Sequence, residues 1–337
     1  MKSRGIALGL TLGILALGPA ASDYTVKEIG SFYIGGRTET LTGLPMREII
    51  FSPGSPPIKS DPNGEFAVEQ MYVQFVKLAK PKNPLPILLW HGGGLTGVTW
   101  ETKPDGKPGW QQFFLNAGFD TYVSDSVERG RASWARYPEI FKSEPFFRAK
   151  KEGWELFRLG PSYEKREAFP GVKFPVANYD DFAKEAVPRW STNDAATQKA
   201  YDELVQKVCP CIIVVHSQGG NFGFTAALHA PDKVKALVAL EPSGNPDPDK
   251  NDLTKLKDVP HLIVWGDNRD KVPVWDKISA GPNKYKDALI AAGVKVEVLD
   301  LPKVGLHGNT HMMMMDTNSD EIAKLVQLWL VKNKVAK

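Results

Sequence analysis

The chain has 337 residues, of which 42% are hydrophobic and 24% are charged. These are ordinary values for a globular protein, so a disordered chain and a multi-span membrane protein are both excluded. The 42 basic and 39 acidic residues are interleaved and leave a net charge of only +3, so nucleic acid is not an expected partner. Because α/β folds of about 200 to 250 residues often form one domain, we expect one main domain that carries an insertion.

Residues 1–22 have the pattern of a signal peptide. Lys2 and Arg4 precede an apolar run at 6–17, and small residues lead up to Asp23. The apolar run is too short to span a membrane comfortably. An uncleaved amphipathic anchor is the alternative interpretation. We expect export to the periplasm or the medium, with no stable membrane insertion once the signal is removed.

Two cysteines, Cys209 and Cys211, are separated only by Pro210. In an oxidising compartment they could form a disulfide, but so short a loop would be strained. Two buried free thiols that lead into a strand are the alternative. A metal site needs more ligands than this pair supplies, so we assign the cysteines no chemistry.

Along the chain, apolar segments typical of strands alternate with helical segments. The first, at 66–78, alternates apolar and polar residues like a half-exposed strand, whereas 85–90 is continuously apolar. Further strands are predicted at 119–123, 211–215, 236–240, 261–265 and 294–299, and helices at 110–117, 194–208, 222–230, 285–292 and 321–331. This order predicts an α/β fold with a mostly parallel central sheet and helices on both faces.

Residues 131–190 interrupt the alternation, because they contain no clear buried strand. Of these 60 residues, 13 are Phe, Tyr or Trp, which argues against disorder. Long excursions of this kind usually have a function, so we interpret the segment as a cap or lid over a site. A structural elaboration that packs on the sheet is the alternative.

The predicted strand at 211–215 leads through His216 directly to Ser217, which is followed by Gln218 and two glycines. A helix then follows from Asn221. A strand, a tight turn and a helix form the context in which a strained turn exposes a nucleophilic serine. The residue two before the serine is Val215, where glycine is common, and the neighbouring helix must accommodate it. A serine in an S-x-G context is otherwise usually a turn residue.

A second glycine-rich loop follows the predicted strand at 85–90, where His91 precedes Gly92, Gly93 and Gly94. Attack on a carbonyl creates a negative charge that backbone amides can stabilise if they approach closely. We expect one amide from Gly93, or from Gly94, and the other from Gln218. A flexible turn or a phosphate loop is the alternative, but no GK[ST] motif follows.

A serine nucleophile requires a histidine base and a carboxylate that orients it. Of the histidines after Ser217, His229 lies in a predicted helix and His261 opens a buried strand, so both are interpreted as structural. The loop after the last strand contains His307 and His311. We favour His311 because of its spacing from the final helix, and His307 is the alternative.

Candidate acids follow two neighbouring predicted strands. Glu241 ends the strand at 236–240, and Asp267 and Asp270 follow the strand at 261–265. Such residues can equally be helix caps or solvated turns. The residue types and their positions do not separate these candidates.

Four motifs resemble a bacterial esterase group of the α/β-hydrolase superfamily: the elbow HSQGG, the loop HGGGLTGVTWETKPDGKPGW, the segment LEPSG and the segment HGNTHMMMMD. The resemblance covers roughly residues 31–331 and is weakest across 131–190. In that group a Glu after the sixth strand replaces the usual Asp after the seventh. The resemblance thus implies that Ser217 is the nucleophile, Glu241 the acid and His311 the general base.

The function expected from these residues is hydrolysis of a small-molecule carboxylic ester through an acyl-enzyme, with no metal or organic cofactor. A lactonase, a polyester hydrolase or a peptidase would use the same groups. A dehalogenase or an epoxide hydrolase would need an Asp in place of Ser217. A binding protein that retains the fold without turnover is the alternative from another functional class. The sequence assigns no oligomeric state.

Overall fold

The computed structural model describes residues 24–337. The predicted signal peptide at 1–22 lies outside these residues. Among the described residues there is no helix of the length and apolarity needed to cross a membrane.

The strands are β1 (Val26–Leu41), β2 (Arg47–Ile49), β3 (Ile58–Ser60), β4 (Gly64–Leu78), β5 (Ile87–Trp90), β6 (Thr121–Asp125), β7 (Cys211–His216), β8 (Val234–Leu240), β9 (His261–Trp265) and β10 (Val296–Asp300). The α-helices are α1 (Trp110–Asn116), α2 (Lys150–Leu156), α3 (Tyr179–Phe182), α4 (Asp194–Val208), α5 (Gly219–His229), α6 (Val274–Ala291) and α7 (Ser319–Lys332).

Eight strands form one sheet in the order β1-β4-β6-β5-β7-β8-β9-β10. Six neighbouring strands run parallel, in the order β6, β5, β7, β8, β9 and β10. At one edge, β4 pairs with β6 and β1 pairs with β4, both in antiparallel fashion. This arrangement confirms the predicted α/β class with a mostly parallel sheet. The strands β2 and β3 form a separate small hairpin.

The two faces of β7 show that the sheet is covered on both sides. Ile212 and Val214 belong to one hydrophobic cluster, whereas Ile213 and Val215 belong to another. All four side chains are fully buried. Alternating side chains therefore enter two cores, as expected of a central parallel strand.

The sequence analysis missed β1, which has 16 residues and is mostly half-buried or exposed. Its sequence has no continuous apolar run, because its position at the sheet edge leaves much of it in contact with water. The prediction for α6 was too short at its start. The helix begins at Val274 and continues through Pro282, although a proline usually indicates a helix boundary.

Residues 131–190 contain no strand longer than a single bridge, as predicted. They include α2 and α3, and many of their aromatic side chains are buried. Trp154, Phe157 and Tyr179 join the same hydrophobic cluster as Met312 to Met315. Much of the aromatic content therefore packs against the body of the protein.

Cys209 and Cys211 form a disulfide, the first of the two alternatives considered from the sequence. It lies at the start of β7, and Ser217 follows the end of that strand. The bond is thus at the opposite end of the strand from the glycine-rich turns.

Candidate active site

Ser217 occupies a sharp turn between β7 and α5. Its backbone φ is +52°, in the left-handed region that residues other than glycine rarely adopt. The Ser217 amide donates to the Leu240 carbonyl at 3.0 Å, which holds the turn against the carboxyl end of β8. The structure thus gives Ser217 the strained strand-to-helix turn that the sequence predicted.

The residues around Ser217 must be small because neighbouring chain segments are close. A Cβ atom at Gly219 would lie 2.9 Å from the His91 carbonyl oxygen, and one at Gly223 would lie 2.7 Å from a methyl group of Val215. Val215 therefore fits beside α5 because Gly223 has no side chain. The departure from the common Gly at position 215 leaves the turn intact.

Glu241 follows β8 and also has a positive φ, of +46°. It is fully buried, and the Arg158 guanidinium holds its two oxygens, with Nη1 donating to Oε2 at 2.7 Å and Nη2 donating to Oε1. The Gly266 amide also donates to Oε1, at 2.6 Å. Burial alone would raise the pKa of Glu241, but the charge of Arg158 and the hydrogen bond from His311 outweigh it and lower this pKa to about 2.

His311 and Glu241 form a close buried pair. His311 Nδ1 lies 2.9 Å from Glu241 Oε2. Because the carboxylate only accepts, Nδ1 carries the proton and Nε2 has a free lone pair. Burial lowers the pKa of His311, against the raising effect of Glu241. The imidazole is therefore neutral near pH 7 and has the tautomer of a general base.

The loop that carries His311 is fixed from two sides. Buried Asp316 accepts hydrogen bonds from the Thr310 amide and hydroxyl, both at 2.8 Å, and from the Asn309 side chain at 3.0 Å. His216 Nε2 donates to the His311 carbonyl at 2.9 Å. These contacts explain how an irregular loop can hold an imidazole in one place.

Ser217 and His311 line the same cavity, which has a volume of about 340 Å³. Among the described residues, the hydrogen-bond partner of the Ser217 hydroxyl is Ser243 Oγ, at 3.4 Å. There is no hydrogen bond between Ser217 and His311. In ligand-free sites such contacts are often long and shorten when substrate binds.

Gly93 and Gln218 both line this cavity. Neither amide has a backbone acceptor within residues 24–337. The carbonyl of Gly94, by contrast, accepts from the Val187 amide at 2.9 Å. Both residues whose amides are expected to stabilise an oxyanion thus line the same cavity as Ser217.

The alternative candidates lie elsewhere. His307 has a side chain that is 69% exposed, and its Nδ1 is 3.7 Å from Asp267 Oδ2. Asp270 is exposed and does not line the cavity. His229 pairs with Asp202 on the surface at 2.8 Å, and His261 is buried at the start of β9. The structure therefore brings together Ser217, Glu241 and His311, and it does not bring His307 or Asp270 to them.

The sequence analysis missed two residues next to this group. Arg158 binds Glu241 from within the segment 131–190, 83 positions away in the chain. Ser243 follows Glu241 by two residues and contacts Ser217. No local pattern indicates Arg158, but the sequence LEPSG already placed Ser243 next to a candidate acid.

No group of three or more His, Cys, Asp or Glu side chains within residues 24–337 is arranged to hold a metal ion. The candidate site contains the Ser217 hydroxyl, the His311 imidazole, the Glu241 carboxylate and nearby backbone amides. Such groups can transfer a proton and stabilise a developing negative charge without a metal.

Comparison with known proteins supports the fold. The α/β-hydrolase fold family matches at residues 208–266. A probable secreted lipase named phiG, from a fungal species, is 29% identical over 326 residues, covering 80% of this chain and 88% of the relative.

A novel bacterial esterase whose structure is known at atomic resolution is 34% identical, with a TM-score of 0.79. The match covers 93% of this chain and 98% of that protein. The chain belongs to the α/β-hydrolase superfamily.

Proposed function

We propose that this protein is a serine hydrolase that cleaves carboxylic esters through an acyl-enzyme. One observation carries the proposal: a serine in a strained turn lines the same cavity as the imidazole of a buried carboxylate–imidazole pair. The names of the two relatives, an esterase and a lipase, support ester hydrolysis as the reaction.

In the first step the Ser217 hydroxyl attacks the ester carbonyl, and Nε2 of His311 accepts its proton. Glu241 stabilises the imidazolium that forms, because it already binds Nδ1. The amides of Gly93 and Gln218 donate to the oxyanion. His311 then gives its proton to the leaving alcohol, and water releases the acyl group by the reverse sequence.

The cavity volume is consistent with a small-molecule ester. At about 340 Å³ it is at the lower end of the range for ligand pockets, which runs from about 300 to 1,000 Å³. Four residues from the segment 131–190 line it: Arg148, Leu156, Phe157 and Arg189. We therefore propose that this segment is a cap that shapes the substrate site.

Replacing the nucleophile tests the function directly. Ser217→Ala removes the attacking oxygen, so kcat for a short 4-nitrophenyl ester should fall at least about 10⁴-fold. Ser52→Ala is the control, because Ser52 is an exposed serine far from the cavity in a loop between β2 and β3. Wild-type activity in folded Ser217→Ala protein would refute the proposal.

We also propose that the protein is exported. The signal-like pattern at 1–22 and the name of the fungal relative, a probable secreted lipase, support this. Mass spectrometry of the mature protein should show an N-terminus at or near Asp23. A mature protein that begins at Met1 would contradict cleavage.

A further inference from the structure

The cavity above Ser217 has a positively charged wall. Arg148 and Arg189 line it together with one carboxylate, Asp194. Arg129 lies behind this wall, buried, with Nη2 2.9 Å from Gln218 Oε1. A neutral ester needs none of these charges, so they require another explanation.

Arg189 differs from the other arginines around the site in its partners. Arg158 binds Glu241, Arg129 binds Gln218 and the Gly92 carbonyl, and Arg131 binds Asp125. Within residues 24–337 the Arg189 guanidinium has no hydrogen-bond acceptor and no carboxylate within 4.0 Å, although its residue is only partly exposed. A guanidinium has five N–H donors, so Arg189 has donors available for a ligand in the cavity.

The position of Arg189 is fixed by its backbone and its neighbours. Its amide and carbonyl bond to the carbonyl and amide of Phe146, at 2.9 and 2.7 Å. The next residue, Trp190, is fully buried and donates from its indole to the Ser143 carbonyl at 2.7 Å. Val187 bonds to Gly94. The arginine therefore projects from a rigid part of the cap, which favours preorganised binding.

The guanidinium also lies close to the reaction centre. A Cβ atom built on Gly93 would be 3.2 Å from Arg189 Nη1 and 3.2 Å from Gln218 Oε1. Gly93 and Gln218 are the residues whose amides are proposed to bind the oxyanion. An anion held by Arg189 would therefore lie only a few bonds from the scissile carbonyl.

The nearby carboxylates do not cancel this charge. Asp194 accepts from the Gln218 side chain at 3.2 Å, and Glu152 pairs with Arg148. Three guanidiniums thus face two carboxylates. Burial, followed by repulsion from Arg189, lowers the pKa of Arg129 to about 10, so the guanidiniums are close enough to repel each other. A further negative charge would relieve this repulsion.

We propose that the substrate is an ester that carries a carboxylate near its scissile bond, and that Arg189, assisted by Arg148, binds this carboxylate. The proposal rests on the ester hydrolase function proposed above and specifies its substrate class. Arginine suits this role because its planar fork pairs with both oxygens of a carboxylate.

The test compares charged and neutral substrates of the same shape. The charged substrates are 4-nitrophenyl half-esters of succinic, glutaric and adipic acid, and each neutral partner has an isopropyl group in place of the carboxylate. The enzyme-free rate is subtracted for every ester. The quantity measured is the charge preference, defined as the ratio of kcat/KM for the half-ester to kcat/KM for its neutral partner.

Wild-type protein should prefer the half-ester of at least one length by about 10- to 100-fold, the size expected of a charge-assisted hydrogen bond. Arg189→Gln should reduce this preference by about 10-fold or more, and Arg189→Lys should retain part of it. Lys184→Gln is the matched control, because it removes an exposed cation of the same segment that does not line the cavity. Its charge preference should equal that of wild type.

Two results would overturn the inference while leaving ester hydrolysis intact. One is the absence of a charge preference in wild type at all three lengths. The other is an equal loss for both esters in Arg189→Gln, which would assign Arg189 to oxyanion stabilisation instead. If wild type hydrolysed none of the esters faster than Ser217→Ala, the proposed function itself would fail.

Discussion

Two carboxylate–histidine pairs lie at the carboxyl ends of neighbouring strands, and their environments differ sharply. Glu241, which follows β8, lies 2.9 Å from His311, and the two side chains are at most 3% exposed. Asp267, which follows β9, lies 3.7 Å from His307, and the histidine side chain is 69% exposed. The same residue types therefore form a fixed buried pair in one place and a solvated pair in the other.

The difference arises from what else holds each carboxylate. Arg158 and the Gly266 amide bind Glu241 in addition to His311. The Asp267 side chain instead accepts from the amides of Gly308 and Asn268 and so organises its own loop. Exposed ion pairs contribute little, whereas a buried carboxylate that is fully hydrogen-bonded fixes its partner's orientation. Proximity of the two residue types is thus compatible with very different degrees of burial and hydrogen bonding.

The largest expected contrast is between the two histidines. His311→Gln removes the base, so kcat for a short aryl ester should fall at least about 10⁴-fold. His307→Gln should change kcat at most about threefold, because surface substitutions away from a site have small effects. Circular dichroism and thermal unfolding should show that both variants are folded. A larger loss in His307→Gln than in His311→Gln would reverse the assignment.

The second-largest difference in kcat is expected between variants of the two carboxylates, Glu241 and Asp267. Glu241→Gln keeps the shape but loses the charge that stabilises the imidazolium, so kcat should fall about 10²- to 10⁴-fold. Asp267→Asn retains the backbone carbonyl that accepts from Arg158 at 2.7 Å and should retain most of the activity. Equal kcat values for the two variants would show that Glu241 is not the orienting acid.

The smallest effect concerns pH. Only neutral His311 can accept a proton, and burial lowers its pKa below the ordinary value of 6.5. Therefore kcat/KM should be lost only as the pH falls through a value below 6.5. The charge of Arg158 helps to keep this pKa low, so Arg158→Gln should move the acidic limb to higher pH.

A wild-type acidic limb above pH 7 would contradict this environment of His311. Because the His307 side chain is exposed, His307→Gln should leave the acidic limb of the pH profile unchanged. The pH profile thus tests whether burial distinguishes the two pairs in solution as it does in the structure.

Much of the site was predictable because its parts follow buried strands. The apolar runs that form β5, β7 and β8 end at Trp90, His216 and Leu240, and parallel strands bring these ends to one edge. Ser217 and the glycine-rich loops could therefore be assigned from local sequence alone. Glu241 was different, since only the resemblance to known esterases separated it from Asp267 and Asp270.

The rest depends on contacts that local patterns do not encode. Arg158 and Arg189 lie in an irregular segment without hydrophobic periodicity, and each reaches the site through tertiary packing. The edge strand β1 is similarly hidden, because a half-exposed strand lacks the apolar run that identifies a buried one. The ends of buried strands can thus be predicted from the sequence more reliably than the contacts made by residues 131–190.

The most direct test of the account is to label the protein with a fluorophosphonate and to identify the modified residue by peptide mass spectrometry. Ser217 and Ser243 have hydroxyl oxygens only 3.4 Å apart, so the experiment must resolve one serine from the other. One adduct is expected, on Ser217. Its formation should be lost in His311→Gln. An adduct on Ser243, or no adduct on folded wild-type protein, would contradict the assignment of Ser217 as the nucleophile.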